Sequence, residues 1–244
     1  MKNILTFLCV SIFIFSSCSS EEENINITLN FTHNWDGVAI TDKDLNELKF
    51  TNANGEKVSI ENLRYLISNI SLVDAKNYQL INFSENTGTS INVSDLTEGT
   101  HTLSFRFGFS DEDNIDGEYQ DLNSVSFNVP GMLGGGYHYM QFDGKYIDNK
   151  DEEAGFNYHS IRAVDKTDPD NLKFEDTSFE VNLGTITVSN NMKVEVKVNL
   201  AEWFKNPNTW DLNALNTVLM PNFEAQKIMS ANGKSVFSLG EVTP

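Results

Sequence analysis

Apolar and polar residues alternate strictly over residues 25–31 (INITLNF), placing Ile25, Ile27, Leu29 and Phe31 on one face of an extended segment. The same two-residue period recurs over residues 101–107 (HTLSFRF), 125–129, 137–146, 156–164, 179–183 and 192–200 (MKVEVKVNL), with Gly, Asn, Asp or Pro between most of them. Helical spacing is confined to short stretches. Residues 62–68 and 200–205 fit a turn or two, and residues 215–231 place Val218, Leu219, Phe223, Ile228 and Met229 along one side. Many strands and few helices predict an all-β chain, an antiparallel β-sandwich with a few short helices. No repeat of fixed period and no internal linker interrupts the pattern, so residues 25–244 read as one domain.

The first residues break the pattern. Lys2 precedes an apolar run, residues 4–15 (ILTFLCVSIFIF), too short to span a bilayer comfortably, and small residues lead to Cys18. Residues 1–17 therefore read as a signal peptide, and Phe15-Ser16-Ser17-Cys18 resembles the lipobox of bacterial lipoproteins, in which the cysteine is acylated and becomes the new N-terminus. Residues 18–24 (CSSEEEN) are a polar, acidic tether, similar to the signal that sends Bacteroidota lipoproteins to the outer face of the outer membrane. An outer-membrane lipoprotein, held to the membrane by lipid alone, is the localisation this predicts.

Composition narrows the chemistry. Cys9 leaves with the signal peptide and Cys18 carries lipid, so the domain keeps no thiol for a disulfide, a nucleophile or a thiolate metal site. With 35 acidic against 17 basic residues and a formal charge of −18, the chain is unsuited to nucleic acid or to anionic lipid headgroups. No nucleophile elbow, zincin, phosphate-loop or dinucleotide fingerprint occurs, and no catalytic carboxylate pair stands out, so the expectation is a protein that is not an enzyme. Residues 111–117 (DEDNIDG) lack the oxygen spacing of a calcium loop and read as a solvated turn.

What remains distinctive is the histidines. His33 ends the first strand and shares its side with Trp35; His138 follows a triple glycine and, by alternation, shares a face with Met140. His159 lies in FNYH on a neighbouring strand, where His138 and His159 could meet. His101, in a plain alternating strand, reads as structural, and Trp203 and Trp210 as core aromatics. Neutral imidazoles suit Cu(II), Zn(II) and Ni(II), with Cu(II) bound most tightly, and a thioether favours Cu(I).

The segments NFTHNWDG, LRYLISNI, PGMLGGGYHYMQFDGKY and FNYH, in this order, resemble the MbnP-like copper-binding family over nearly the whole mature chain. The resemblance implies a copper-binding all-β lipoprotein used in copper acquisition, storage or hand-over, with His33, His138 and His159 as ligands. It also implies a di-haem peroxidase-like partner that oxidises a tryptophan to kynurenine, for which Trp35 is the candidate. Relatives carry tryptophan after the Gly-Met pair, where this chain has Leu133-Gly134-Gly135, so no tryptophan-derived ligand can form there. The alternative is a surface lipoprotein that binds a glycan or partner protein through an aromatic face over residues 137–146, its histidines being structural.

Overall fold

The computed structural model describes residues 25–73, 77–168 and 170–244; the signal peptide, Cys18 and the acidic tether lie outside these. Two sheets pack face to face. One has the order β15 (Phe237–Thr243), β14 (Met192–Asn199), β1 (Ile25–Trp35) and β2 (Val38–Ala39), with β7 (Ser90–Leu96) also on β1. The other runs β13 (Phe179–Val188), β8 (Gly99–Phe107), β5 (Asn62–Ser68), β9 (Met140–Ile147), β4 (Lys57–Val58), β3 (Phe50–Thr51). To this second sheet β10 (Glu153–Ser160) adds on β9 and β6 (Tyr78–Asn82) on β5. A ribbon of β11 (Ala163–Asp165) and β12 (Lys173–Glu175) and two helices, α1 (Gln120–Ser124) and α2 (Phe223–Gly233), complete the elements, with single 3-10 turns such as Leu200–Phe204. The all-β, sandwich-like architecture is the one the alternation predicts.

The alternating faces decide the packing. Ile25, Ile27, Leu29, Phe31, His33 and Trp35 of β1 are all buried, with Val194, Val196 and Val198 of β14 beside them. They meet Leu63 and Tyr65 of β5, Phe105 and Phe107 of β8 and Phe142 of β9 in one continuous core. Phe31 packs edge-on against Phe105 at 5.8 Å, and Phe237 against the same ring at 5.3 Å, in the T-shaped geometry that the ring quadrupoles favour. Trp203 and Trp210 lie in this core, as read from the sequence.

Several local expectations change. The sandwich is not purely antiparallel: β1 and β14 run parallel, Ile27 opposite Met192 through Asn34 opposite Asn199. The chain between them builds the whole second sheet, and that long crossover is what a parallel pair requires. Residues 62–68 form strand β5, not a helix. Leu63, Tyr65 and Ile67 face the main core while Leu66 packs on Phe109, Leu122, Phe127 and Tyr137 on the other side, and a strand covered on both faces loses its alternation. The helix expected over residues 215–231 begins only at Phe223, capped by the Asn222 side chain on the Ala225 amide; Val218 is 76% exposed at a φ of +56°. Residues 125–129 form no strand, only a single bridge from Asn128 to Tyr137, and the strand expected from residue 137 begins at Met140. Nor do residues 137–146 offer an aromatic face, because Tyr137, Tyr139 and Tyr146 are all buried.

Candidate metal centre

The outer face of the second sheet carries a polar ladder at its centre. Asn62 pairs with Asp143, Arg64 with Gln141, Asn157 with Asp143 and His159 with Gln141 in the registers of β5, β9 and β10. His159 is half-buried and its Nε2 lies 2.7 Å from Asp143 Oδ1, leaving Nδ1 with no hydrogen-bond partner among the described residues. Asp143 also accepts from Asn157 at 2.7 Å and from Asn62 at 2.8 Å. Burial pushes the Asp143 carboxyl up, but these three hydrogen bonds outweigh it and hold the pKa down at about 2, so the carboxylate stays charged.

His138 arrives from a loop built on left-handed glycines. Gly135 and Gly136 have φ of +68° and +82°, and a Cβ on either would overlap Asp116 or Asn114. Those side chains are what hold the loop: Asp116 accepts from the Gly136 amide at 3.1 Å and Asn114 from the Tyr137 amide at 2.8 Å. The segment read as a solvated turn is thus the anchor of the glycine loop, with Asn114 buried. The loop then ties to residues 127–129 through Val129 N to Gly136 O, 2.8 Å, and His138 N to Phe127 O, 2.9 Å.

His138 itself is 4% exposed, and its Nδ1 lies 3.0 Å from the Phe127 carbonyl oxygen, which can only accept. The proton therefore sits on Nδ1 and the lone pair on Nε2. Burial, reinforced by His159 and Arg64 and opposed by the Phe127 bond and Asp143, lowers its pKa to about 4, so the ring is neutral at pH 7. The His138 and His159 rings stand 5.4 Å apart, almost perpendicular. His138 Nε2 also faces Met220 Sδ at 3.2 Å. Each of the two imidazoles is thus pinned through one nitrogen by an oxygen acceptor, which fixes its orientation as an outer-sphere partner would fix a ligating histidine.

The remaining candidates lie elsewhere. His33 is between the sheets, Nε2 to Tyr65 Oη 3.0 Å and its ring 4.3 Å from Phe83; among the described residues it shares no hydrogen-bond or ring partner with His138 or His159. Inward and outward residues alternate along β5 and β9, which separates the two sets of histidines by the thickness of the sheet. Trp35 is stacked on Phe50 at 5.1 Å and Phe204 at 5.8 Å, donating from Nε1 to Thr51 O at 3.0 Å. Met140 faces the main core, so the sulfur against His138 belongs to Met220 instead. The His101 ring bonds the Thr97 carbonyl, at 2.8 Å. Among the described residues, no three or more His, Cys, Asp or Glu side chains are grouped to hold a metal ion.

Burial lowers the His33 pKa to about 3, which makes it, like His138, an acid-sensitive group of the interior. The unfolded chain binds its proton near pH 6.5 and the folded chain does not until about pH 3, so this contribution is complete above pH 6.5 and lost as pH falls toward 3. His33→Gln, which can still hydrogen-bond Tyr65, is expected to flatten the rise of stability with pH by up to about 1.4 kcal/mol per pH unit. Urea unfolding midpoints between about pH 4 and 7 read this directly.

The sequence profile of the MbnP family matches residues 24–222, most of the chain. The protein belongs to the MbnP family. Within solved structures, MbnP from Methylosinus trichosporium is similar at 9% identity and a TM-score of 0.48, covering 78% of this chain and 80% of that one. A search of curated proteins gives no match. In this MbnP-family chain the glycine-histidine-aromatic segment builds both the loop that carries His138 and strand β9 with Asp143, while FNYH ends on His159 of β10. Sequence reading missed Asp143 and Met220. Asp143 was legible in principle, since alternation puts it on the face of Gln141; Met220 carried no signal, lying 82 residues from His138 in a turn.

Proposed function

We propose that this MbnP-family protein is a non-enzymatic copper-binding lipoprotein of the cell envelope, anchored by lipid at Cys18 in the outer membrane, that acquires, stores or hands over copper. The observation that carries this is the His138–His159 pair, 5.4 Å between rings, with complementary tautomers set by Phe127 O and Asp143. The nitrogens left for a ligand are Nε2 of His138 and Nδ1 of His159, and neutral imidazole nitrogen is a donor that copper accepts in both oxidation states. Asp143 supplies a fixed negative charge next to the site, which offsets the nearby Arg64 guanidinium that bonds Gln141 at 2.6 Å. The donor set therefore fits copper. His33 and Trp35 stand outside it, so a di-haem peroxidase-like partner enters only through oxidation of Trp35, which an added mass on the Trp35 peptide would report.

Metal analysis of the protein purified from its native host, with titration of the metal-free form by Cu(I) and Cu(II), tests the reading. About one copper per chain is expected at saturation. Neither native copper nor uptake on titration would overturn it.

A further inference from the structure

The contact between His138 Nε2 and Met220 Sδ has an unusual composition. Because Nδ1 keeps its proton on the Phe127 carbonyl, Nε2 presents a lone pair, and the thioether it faces at 3.2 Å has lone pairs and no proton at all. Two Lewis bases thus converge with nothing between them to share. Metal–nitrogen and metal–sulfur bonds of about 2.0 and 2.3 Å place two ligand atoms roughly 3–3.7 Å apart, so the observed separation is that of neighbouring ligands around one ion.

The backbone holds Met220 there. Val218, two residues before it, takes a left-handed φ of +56° despite its branched Cβ, a conformation that costs roughly 1–2 kcal/mol and persists only where the surroundings over-determine it. Asn157 N bonds Asn216 O at 2.8 Å and Asn216 bonds Tyr146 Oη at 2.8 Å, fixing the start of the turn to β10 and β9. Asn222 N returns to Leu219 O at 3.0 Å, closing its end just before α2. Gln226, fully buried, then spans both ligand-bearing elements: its Nε2 donates to His159 O at 2.9 Å and Leu219 O at 3.0 Å, while Oε1 accepts from Ile161 N at 2.8 Å. One side chain ties the strand of His159 to the turn of Met220.

The geometry points to Met220 as the third ligand of the His138–His159 centre, a soft thioether that turns a general imidazole site into one selective for Cu(I). This rests on the copper reading above and adds to it a third ligand, supplied by this chain's own turn before α2. Thioethers bind monovalent copper well and contribute little to Cu(II), which imidazole nitrogen alone satisfies.

Met220→Leu keeps volume and packing against the neighbouring Leu133 and Ile161 cluster and removes only the sulfur. Competition against a chromophoric Cu(I) chelator is expected to show Cu(I) affinity lower by about tenfold or more, with Cu(II) affinity changed by less than about threefold. Copper X-ray absorption of the Cu(I) wild type should show a sulfur scatterer at about 2.3 Å that is absent from the variant. A second measurement needs no substitution. Ag(I), a redox-inert stand-in for Cu(I), should protect Met220 from peroxide oxidation, while Met132, 73% exposed, is oxidised whether or not metal is bound. A Cu(I) affinity unchanged in Met220→Leu, or a sulfur-free copper shell in a wild type that binds copper, overturns the thioether ligand and leaves the two-histidine site standing. A wild type that takes up neither Cu(I) nor Cu(II) overturns both together.

Discussion

A protein carrying His138→Asn and His159→Gln is expected to keep its fold and lose copper affinity by more than the roughly 10–100-fold that loss of an outer-sphere partner costs. The two replacements differ because the two rings use opposite nitrogens. Asn places an amide nitrogen where His138 Nδ1 stands, so the 3.0 Å bond to Phe127 O survives while the Nε2 lone pair disappears. Gln reaches to the place of His159 Nε2, keeping the 2.7 Å bond to Asp143 and discarding Nδ1. The unfolding midpoint should therefore move by no more than about 1 kcal/mol in stability, since no buried acceptor is orphaned. The same titration on His33→Gln should show wild-type affinity, because His33 lies between the sheets against Tyr65 and Phe83. Undiminished copper binding by the double variant would remove the pair from the site, and loss of binding in His33→Gln would bring His33 back into it.

Gly144→Ala should be the most damaging small substitution in the second sheet, lowering stability by about 3 kcal/mol or more in chemical denaturation. Gly144 pairs with Phe156, and a methyl group on it would overlap the Ser59 carbonyl oxygen and approach the Phe156 ring to 2.8 Å. Neither can withdraw cheaply. Ser59 is fastened to Lys145 from both sides, its amide donating to the Lys145 carbonyl at 2.8 Å and its hydroxyl accepting the Lys145 amide at 2.9 Å. The Phe156 ring is locked edge-on to Phe142 at 5.5 Å and Phe204 at 6.0 Å. Gly155, one residue away on the facing strand and exposed, is the control: its nearest obstacle would be 3.9 Å off, so Gly155→Ala should stay within about 0.5 kcal/mol of wild type. Since Asp143 precedes Gly144, any surviving displacement of β9 would also weaken the carboxylate grip on His159.

How far the site was legible depends on how local its causes are. The triple glycine before His138 announces a backbone that L side chains resist, and Gly135 and Gly136 are indeed pressed against Asp116 and Asn114. A hairpin with its loop near residues 148–155 brings His138 and His159 together, and β9 and β10 form that hairpin. His33 looked equivalent to them because it too ends a strand beside aromatic residues. Which side of the sandwich a strand faces depends on the partner sheet, and β1 turns His33 into the core.

Alternation along the chain determined by itself that this is an all-β sandwich and which residues of β1, β8, β13 and β14 enter the core, and composition that residues 25–244 contain no thiol. Each of these follows from neighbours two residues apart or from composition, so a one-dimensional pattern contains them. The tertiary structure alone decided that β5 is a strand, that β1 and β14 are parallel, and that Met220 meets His138. Those outcomes rest on long-range register and on a turn held by Gln226, where the residues that meet are far apart in sequence and no local preference of either one names the other.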